Sequence, residues 1–225
     1  MPSALITGGS RGFGRALTMT LIERGWQVLI DGRDRQALQR AAGGGATAIP
    51  GDITDPEHRR DLADAVQKVG SLDLLVNNAS TLGTSPLPGL DRYPIDELEG
   101  VFRTNVLAPL ALIQALITLL APGAAIVNVT SDASVEAYEG WGGYGASKAA
   151  LDQITAVLAT EHQEFRVYAF DPGDMRTAMH QAAYPGEDIS DRPEPETVVP
   201  GLLRLLEDRP PSGRYRAADL LVQSR

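Results

Sequence analysis

The sequence predicts an α/β protein built on a doubly wound parallel sheet of about seven strands, with helices on both faces. Three observations predict it. Short apolar runs alternate with longer helical patterns almost from end to end. Several runs, such as the one at residues 72–76, are nearly all apolar, as strands buried on both faces are. No linker or repeat divides the 225 residues, so one domain spanning 1–225 is expected.

The elements follow in order. A strand at 4–7 leads into a helix at 14–24, which has Leu17, Leu21 and Ile22 on one face and Gly25 as its stop. A strand at 27–31 precedes a short helix at 35–42, closed by Gly43, Gly44 and Gly45. A strand at 46–50 precedes a helix at 55–69, whose Thr-Asp-Pro start is a capping pattern. A strand at 72–77 precedes a long helix at 94–120 that contains Pro109. Then come a strand at 124–130, a helix at 144–161, a strand at 166–171, a helix at 196–207 and a weak last strand at 215–218. Residues 172–195 are the longest irregular stretch and read as a loop or lid over substrate.

Composition excludes several functions. Twenty-nine acidic against 20 basic residues give a net charge of −9, with no general pull toward nucleic acid or anionic lipid. No Cys means no disulfide, thiolate metal site or Cys nucleophile. His58, His162 and His180 are too scattered for a zinc cage, so no metal is expected. The most apolar stretch, 106–129, is broken by Pro109, Gln114, Thr118, Pro122 and Gly123, so no membrane partner is expected. The N-terminus reads directly into a strand without a basic leader pattern, which makes a cytoplasmic location the expectation.

In such a sheet, ligands bind beyond the carboxyl ends of the strands. After the first strand stand Thr7-Gly8-Gly9-Ser10-Arg11-Gly12-Phe13-Gly14, which open a helix. Glycines let backbone approach a pyrophosphate, and a helix N-terminus offers free N–H groups. After the second strand stand Asp31-Gly32-Arg33-Asp34. A carboxylate here accepts from the 2′-OH of NAD, whereas Arg pairs with the 2′-phosphate of NADP. Arg33, helped by Arg11, favours NADP(H) over NAD(H); strand alternation turns Asp31 to the face opposite Gly32. Surface solvation is the commoner fate of an Arg and remains the alternative for both. Asp52 and Ile53 follow the third strand, where a carboxylate can accept from the adenine amino group or merely start a helix. Asn78 and Ala79 follow the fourth, beside the crevice or simply in a turn.

Ser131, Tyr144 and Lys148 form the strongest constellation. Tyr144 and Lys148 stand one helical turn apart on one face, and Ser131 lies at the end of the fifth strand. An ammonium ~5 Å from a phenol, at an effective dielectric of ~20, is worth about 3 kcal/mol. That would bring the phenol from about 10 toward roughly 7–8, where it exchanges protons near neutrality.

Taken in order, Thr7-Gly-x-x-x-Gly12-x-Gly14, Asp52, Asn77-Asn78-Ala79, Asn105, Ser131, Tyr144-Gly-Ala-Ser-Lys148 and Pro172-Gly173-x-x-x-Thr177 resemble the short-chain dehydrogenase/reductase family, whose fold is Rossmann-like. The resemblance implies Tyr144 as catalytic acid/base and Lys148 as the residue that lowers its pKa and holds the nicotinamide ribose. It implies Ser131 as the group orienting substrate, and Asn105 as the residue that distorts its helix and anchors a relay water. It implies that Gly8, Gly12 and Gly14 contact the pyrophosphate, and that Pro172, Gly173 and Thr177 close on the nicotinamide end. Ser10 and Phe13 fall in the same cofactor loop. It also implies a homodimer or homotetramer. The chain departs from the family pattern at Ser80, where glycine is usual, and at Phe13, where a branched aliphatic residue is usual. Neither departure is expected to touch the proton-transfer groups.

For substrate, Tyr138 and Trp141 stand between Ser131 and Tyr144, while Met175, Met179 and His180 stand in the 172–195 loop. Aromatic rings and Met suit a partly apolar ketone or aldehyde, or the corresponding alcohol, though packing of the loop explains them as well. The rival reading is a dinucleotide-binding sensor without turnover. A sugar-nucleotide epimerase or dehydratase is disfavoured, since only about 50 residues follow Pro172 and such enzymes usually need a larger substrate domain.

Overall fold

The alternation of side chains along the strands builds two cores, one on each face of a single sheet. In β1 (Ser3–Ile6), Ala4 and Ile6 join one cluster and Leu5 joins the other. The computed structural model describes residues 1–222; the expected domain's last three positions, 223–225, lie outside the described residues. The other strands are β2 (Gln27–Gly32), β3 (Ala46–Pro50), β4 (Leu72–Asn77), β5 (Leu120–Val129), β6 (Arg166–Asp171) and β7 (Gly213–Arg216). All pair in parallel, in the order β3-β2-β1-β4-β5-β6-β7. The order reverses between β1 and β4, which opens a crevice at their carboxyl ends.

Helices α1 (Gly12–Glu23), α2 (Arg35–Ala42) and α8 (Val199–Asp208) cover one face through Leu17, Leu21, Leu38, Leu202 and Leu205. Helices α3 (Pro56–Val69), α5 (Ala108–Leu116) and α6 (Gly142–Glu161) cover the other through Leu62, Val66, Leu112, Leu116 and Leu158. Asp34 and Asp55 cap α2 and α3 by accepting from Ala37 N and Glu57 N.

The structure corrects three elements. The expected helix 94–120 is divided into α4 (Ile95–Phe102), a π-helical turn (Arg103–Leu107), α5 and a 3₁₀ turn (Ile117–Leu119). The cause is Pro109: it has no N–H to give the Asn105 carbonyl, so the ladder slips by one residue. The last strand begins at Gly213 and gives way at Ala217 to α9 (Ala217–Val222), not at residue 218. The stretch 172–195 is not wholly irregular, because Thr177 caps a short helix α7 (Ala178–Ala183). The Ser85 hydroxyl donates to the Ala182 carbonyl at 2.6 Å and ties this stretch to the loop after β4.

Ile95–Leu119 is the one helical stretch, among the described residues, long and apolar enough to cross a membrane. Val101, Val106, Leu112 and Leu116 within it are instead buried against the protein, which explains the apolar composition.

Candidate active site

The carboxyl ends of the strands open into one cleft of about 690 Å³. Its first wall is the turn after β1. Gly8 and Gly12 have φ of 65° and 51°, a region open to glycine and strained for other residues. The turn is held from below. Asp31, 2% exposed, accepts from Gly8 N at 2.6 Å, and its other oxygen lies 3.2 Å from His58 Nε2. Asp31 therefore points under the turn, as strand alternation requires. Asn78 donates to the Thr7 and Gly8 carbonyls at 2.9 and 3.2 Å, and its N–H and that of Ala79 each reach Thr7 Oγ1 at 3.0 Å.

Two expectations about this turn change. Gly14 does not line the cleft; a Cβ there would stand 2.5 Å from Asn78 Nδ2 and the Gly8 carbonyl, so Gly14 lets α1 pack against the turn. The Gly8 N–H is committed to Asp31 rather than left free for a phosphate. What remains is the start of α1, where Arg11 provides no side-chain cap, unlike the aspartates at α2 and α3. Its unpaired donors open into the cleft and fit an anionic group.

Ser10, Arg11, Phe13, Arg33, Asp52 and Ile53 line the outer end of the cleft. Arg11 is paired with Asp34 at 2.8 Å, both largely exposed. Burial works to raise the Asp52 carboxyl, but hydrogen bonds from Thr54 and the charge of Arg33 bring it below its ordinary value. Phe13 also stacks on Phe170, with centroids 5.8 Å apart.

At the inner end, Ser131, Tyr144 and Lys148 share the cleft with Thr130, Pro172, Gly173 and Thr177. Lys148 Nζ lies 5.5 Å from the Tyr144 ring centroid and donates to the Val129 carbonyl at 2.8 Å. The expected lowering of the phenol is not what this environment produces. Burial pushes Tyr144 above its ordinary value, the Asp171 and Asp132 carboxylates add to that, and hydrogen bonds from Ser80 and Ser131 only partly oppose it. Burial instead lowers Lys148, from 10.5 to about 8. Desolvation outweighs the help that a nearby ammonium gives the phenolate.

Asn105 is 0% exposed and does not line the cleft. Its side chain accepts from Ser80 Oγ and Thr81 N at 3.1 and 2.9 Å, and donates to the Thr81 carbonyl and Ser147 Oγ at 2.9 and 3.0 Å. Ser80 thus binds Asn105, lines the same cleft as the phenol and works to lower its pKa, contrary to the expectation that this departure was remote from proton transfer.

Trp141, Met175, Met179 and His180 line the cleft beyond the phenol; Trp141 packs edge-on against Tyr144 at 5.7 Å. Tyr138 does not. It is 43% exposed, outside the cleft, with its hydroxyl on Asp132 and Glu136 at 3.0 and 2.7 Å. The facing wall, Leu82, Glu97, Val101 and Thr104, had no motif to reveal it. Nor did Arg214 on β7. Its Nη2 donates to the Ser131 carbonyl at 3.0 Å and to Asp171 at 2.9 Å, and its Nε lies 3.3 Å from Asp152.

An uncapped helix start above a parallel sheet is joined by one cleft to a buried phenol and amine. The short chain dehydrogenase family model matches residues 2–188, and the chain belongs to that family of oxidoreductases. It is 37% identical over 191 residues to the rhamnolipids biosynthesis 3-oxoacyl-(acyl-carrier-protein) reductase of Pseudomonas aeruginosa, covering 78% of this chain and 73% of that one. It is 31% identical over 229 residues to the sepiapterin reductase of Xenopus tropicalis, covering 93% and 84%. A short chain dehydrogenase structure from Shigella flexneri 2a, complexed with NADP, superposes with a TM-score of 0.90 at 29% identity, covering 96% of this chain and 97% of that one.

Proposed function

We propose that the protein is an NADP(H)-dependent reductase of a small, partly apolar ketone or aldehyde. One observation bears most of the weight: the Tyr144 phenol, the Ser131 hydroxyl and the Lys148 amine line the same cleft as a dinucleotide-type turn. A phenol is protonated at neutral pH, the form that carbonyl reduction needs in its proton donor. The two relatives named above are both reductases, which agrees with that direction.

NADPH, when bound, supplies the hydride. The residues suited to hold it are the start of α1 for the pyrophosphate, Arg33 and Arg11 for the 2′-phosphate, Asp52 and Ile53 for the adenine, and Thr177 and Lys148 at the nicotinamide end. NADP over NAD rests on the two arginines, and the NADP-complexed neighbour is in keeping with it. Ser131 orients the substrate oxygen, Tyr144 protonates it, and the Lys148 ammonium steadies the phenolate left behind. Trp141, Met175 and Met179 give the apolar surface on which the substrate rests. The 172–195 segment acts as its lid, and assembly into a homodimer or homotetramer uses the helical stretch 95–119 and α6, where Ile95, Leu107 and Val157 are 65%, 57% and 43% exposed.

The test is cofactor depletion over ketones, aldehydes, acyl thioesters and quinones, with NADPH and NADH in parallel. NADPH consumption with at least one carbonyl class supports the reading. Tight NADPH binding without consumption favours a sensor, and a preference for NADH overturns the role of Arg33 and Arg11.

A further inference from the structure

Where the family pattern has glycine, this chain has a hydroxyl that lines the same cleft as its buried phenol. We propose that Ser80 is a catalytic proton-relay residue, its hydroxyl placed between Tyr144 and the Asn105 side chain and open to the cleft. This deepens the function proposed above and rests on Tyr144 being the proton donor.

The placement follows from the chain. Ser80 comes just after β4, lines the same cleft as Tyr144, and donates to Asn105 Oδ1 at 3.1 Å. Asn105 is a rigid support. Its remaining hydrogen bonds go to Thr81 and to Ser147, whose hydroxyl in turn donates to the Tyr144 main-chain carbonyl at 2.6 Å. The support and the phenol thus belong to one hydrogen-bonded frame. With its four bonds made to protein and no exposure, the Asn105 side chain has no proton to offer the cleft.

Ser80 has. A hydroxyl carries one hydrogen and two acceptor lone pairs. With its hydrogen on Asn105, a lone pair is left for the phenol O–H; when the phenol ionises, the same hydrogen can turn to the phenolate. Ser80 in fact opposes the effect of burial on Tyr144 more than Ser131 does. No strain accompanies the side chain, since Ser80 is not among the residues with positive φ.

The balance is simple. As carbonyl becomes alcohol, the Tyr144 O–H bond breaks and the alcohol O–H forms. The Ser80 O–H bond then breaks to restore the phenol, while Ser80 Oγ takes a proton from solvent water in the cleft. The hydride and one solvent proton account for the two hydrogens gained.

The experiment compares Ser80→Ala and Ser80→Thr with wild type. One readout is the ¹³Cζ signal of Tyr144 in the free protein, assigned with Tyr144→Phe; the other is steady-state reduction in H₂O and D₂O. Ser80→Ala is expected to shift that signal, lower kcat about tenfold, and enlarge the solvent isotope effect, with both KM values within about twofold. Ser80→Thr, which keeps a hydroxyl, should restore most of kcat. An unmoved Tyr144 signal overturns the contact, and an unchanged kcat and isotope effect overturn the relay. A raised NADPH KM at constant kcat overturns it too, and makes Ser80 a cofactor contact. Full turnover by Tyr144→Phe instead refutes the proton donor itself, and the relay with it.

Discussion

At the scale of the residue, burial decides the chemistry. Lys148 is 2% exposed, and its ammonium falls to about 8. An unfolded lysine titrates near 10.4, so between those values the unfolded chain holds more protons and stability rises with pH. The charged amine therefore costs stability below pH 8, and the cost lifts as pH climbs toward 10. Relative to Lys148→Met, wild type should gain about 2 kcal/mol between pH 7 and pH 9.5 in urea unfolding. A difference that ignores pH would mean that the amine is solvated. Tyr144 and Lys148 were legible in the sequence because their spacing fixes a shared helix face, and Ser131 because it ends the fifth strand. Their proton affinities were not, because burial under Trp141 and the charge of Asp171 come from neighbours that the fold alone brings near. Tyr138 misled for the same reason: a ring close in sequence turned outward to Asp132 and Glu136.

At the scale of the element, the alternation of strands and helices and the parallel sheet were readable from apolar runs and glycine stops, whereas the order of the strands was not. The division of α4 from α5 was readable only in part. Pro109 announced an irregularity, but the ladder's slip around Asn105 depends on which carbonyl the proline leaves without a donor. Strand β7 was the weakest expectation and holds the least expected contact. Arg214 joins β7 to the Ser131 carbonyl, to Asp171 at the end of β6 and to Asp152 on α6. Asp171 disfavours the Tyr144 phenolate, and Arg214 offsets that charge. In Arg214→Met, alcohol oxidation should lose about tenfold in kcat, equivalent to roughly 1.4 kcal/mol. Its rising limb should move to higher pH, since an uncompensated Asp171 holds the phenol proton more tightly. A pH profile with lower amplitude but the same midpoint would make Arg214 a structural brace only.

At the scale of the whole molecule, one crevice would serve both tasks of the proposed reaction. The reversal of strand order between β1 and β4 sets the turn after β1 and the Tyr144 phenol in one cleft at the carboxyl edge of the sheet. NADPH at about 100 times its Kd should stabilise the fold by about 2.7 kcal/mol, raising the melting temperature by about 5–10 °C for a chain of this length. The same concentration of NADH should give a clearly smaller rise. Equal shifts would show that Arg33 and Arg11 are surface charges, as the Arg11–Asp34 pair would then suggest.

The most direct measurement is made on Tyr144→Phe, which removes one oxygen from a packed ring. Direct titration should find NADPH bound as by wild type, while turnover of the best carbonyl substrate falls by about 10²–10⁴. Turnover at the wild-type rate would contradict the account, and leave the cleft a place that holds nucleotide without a phenol at work in it.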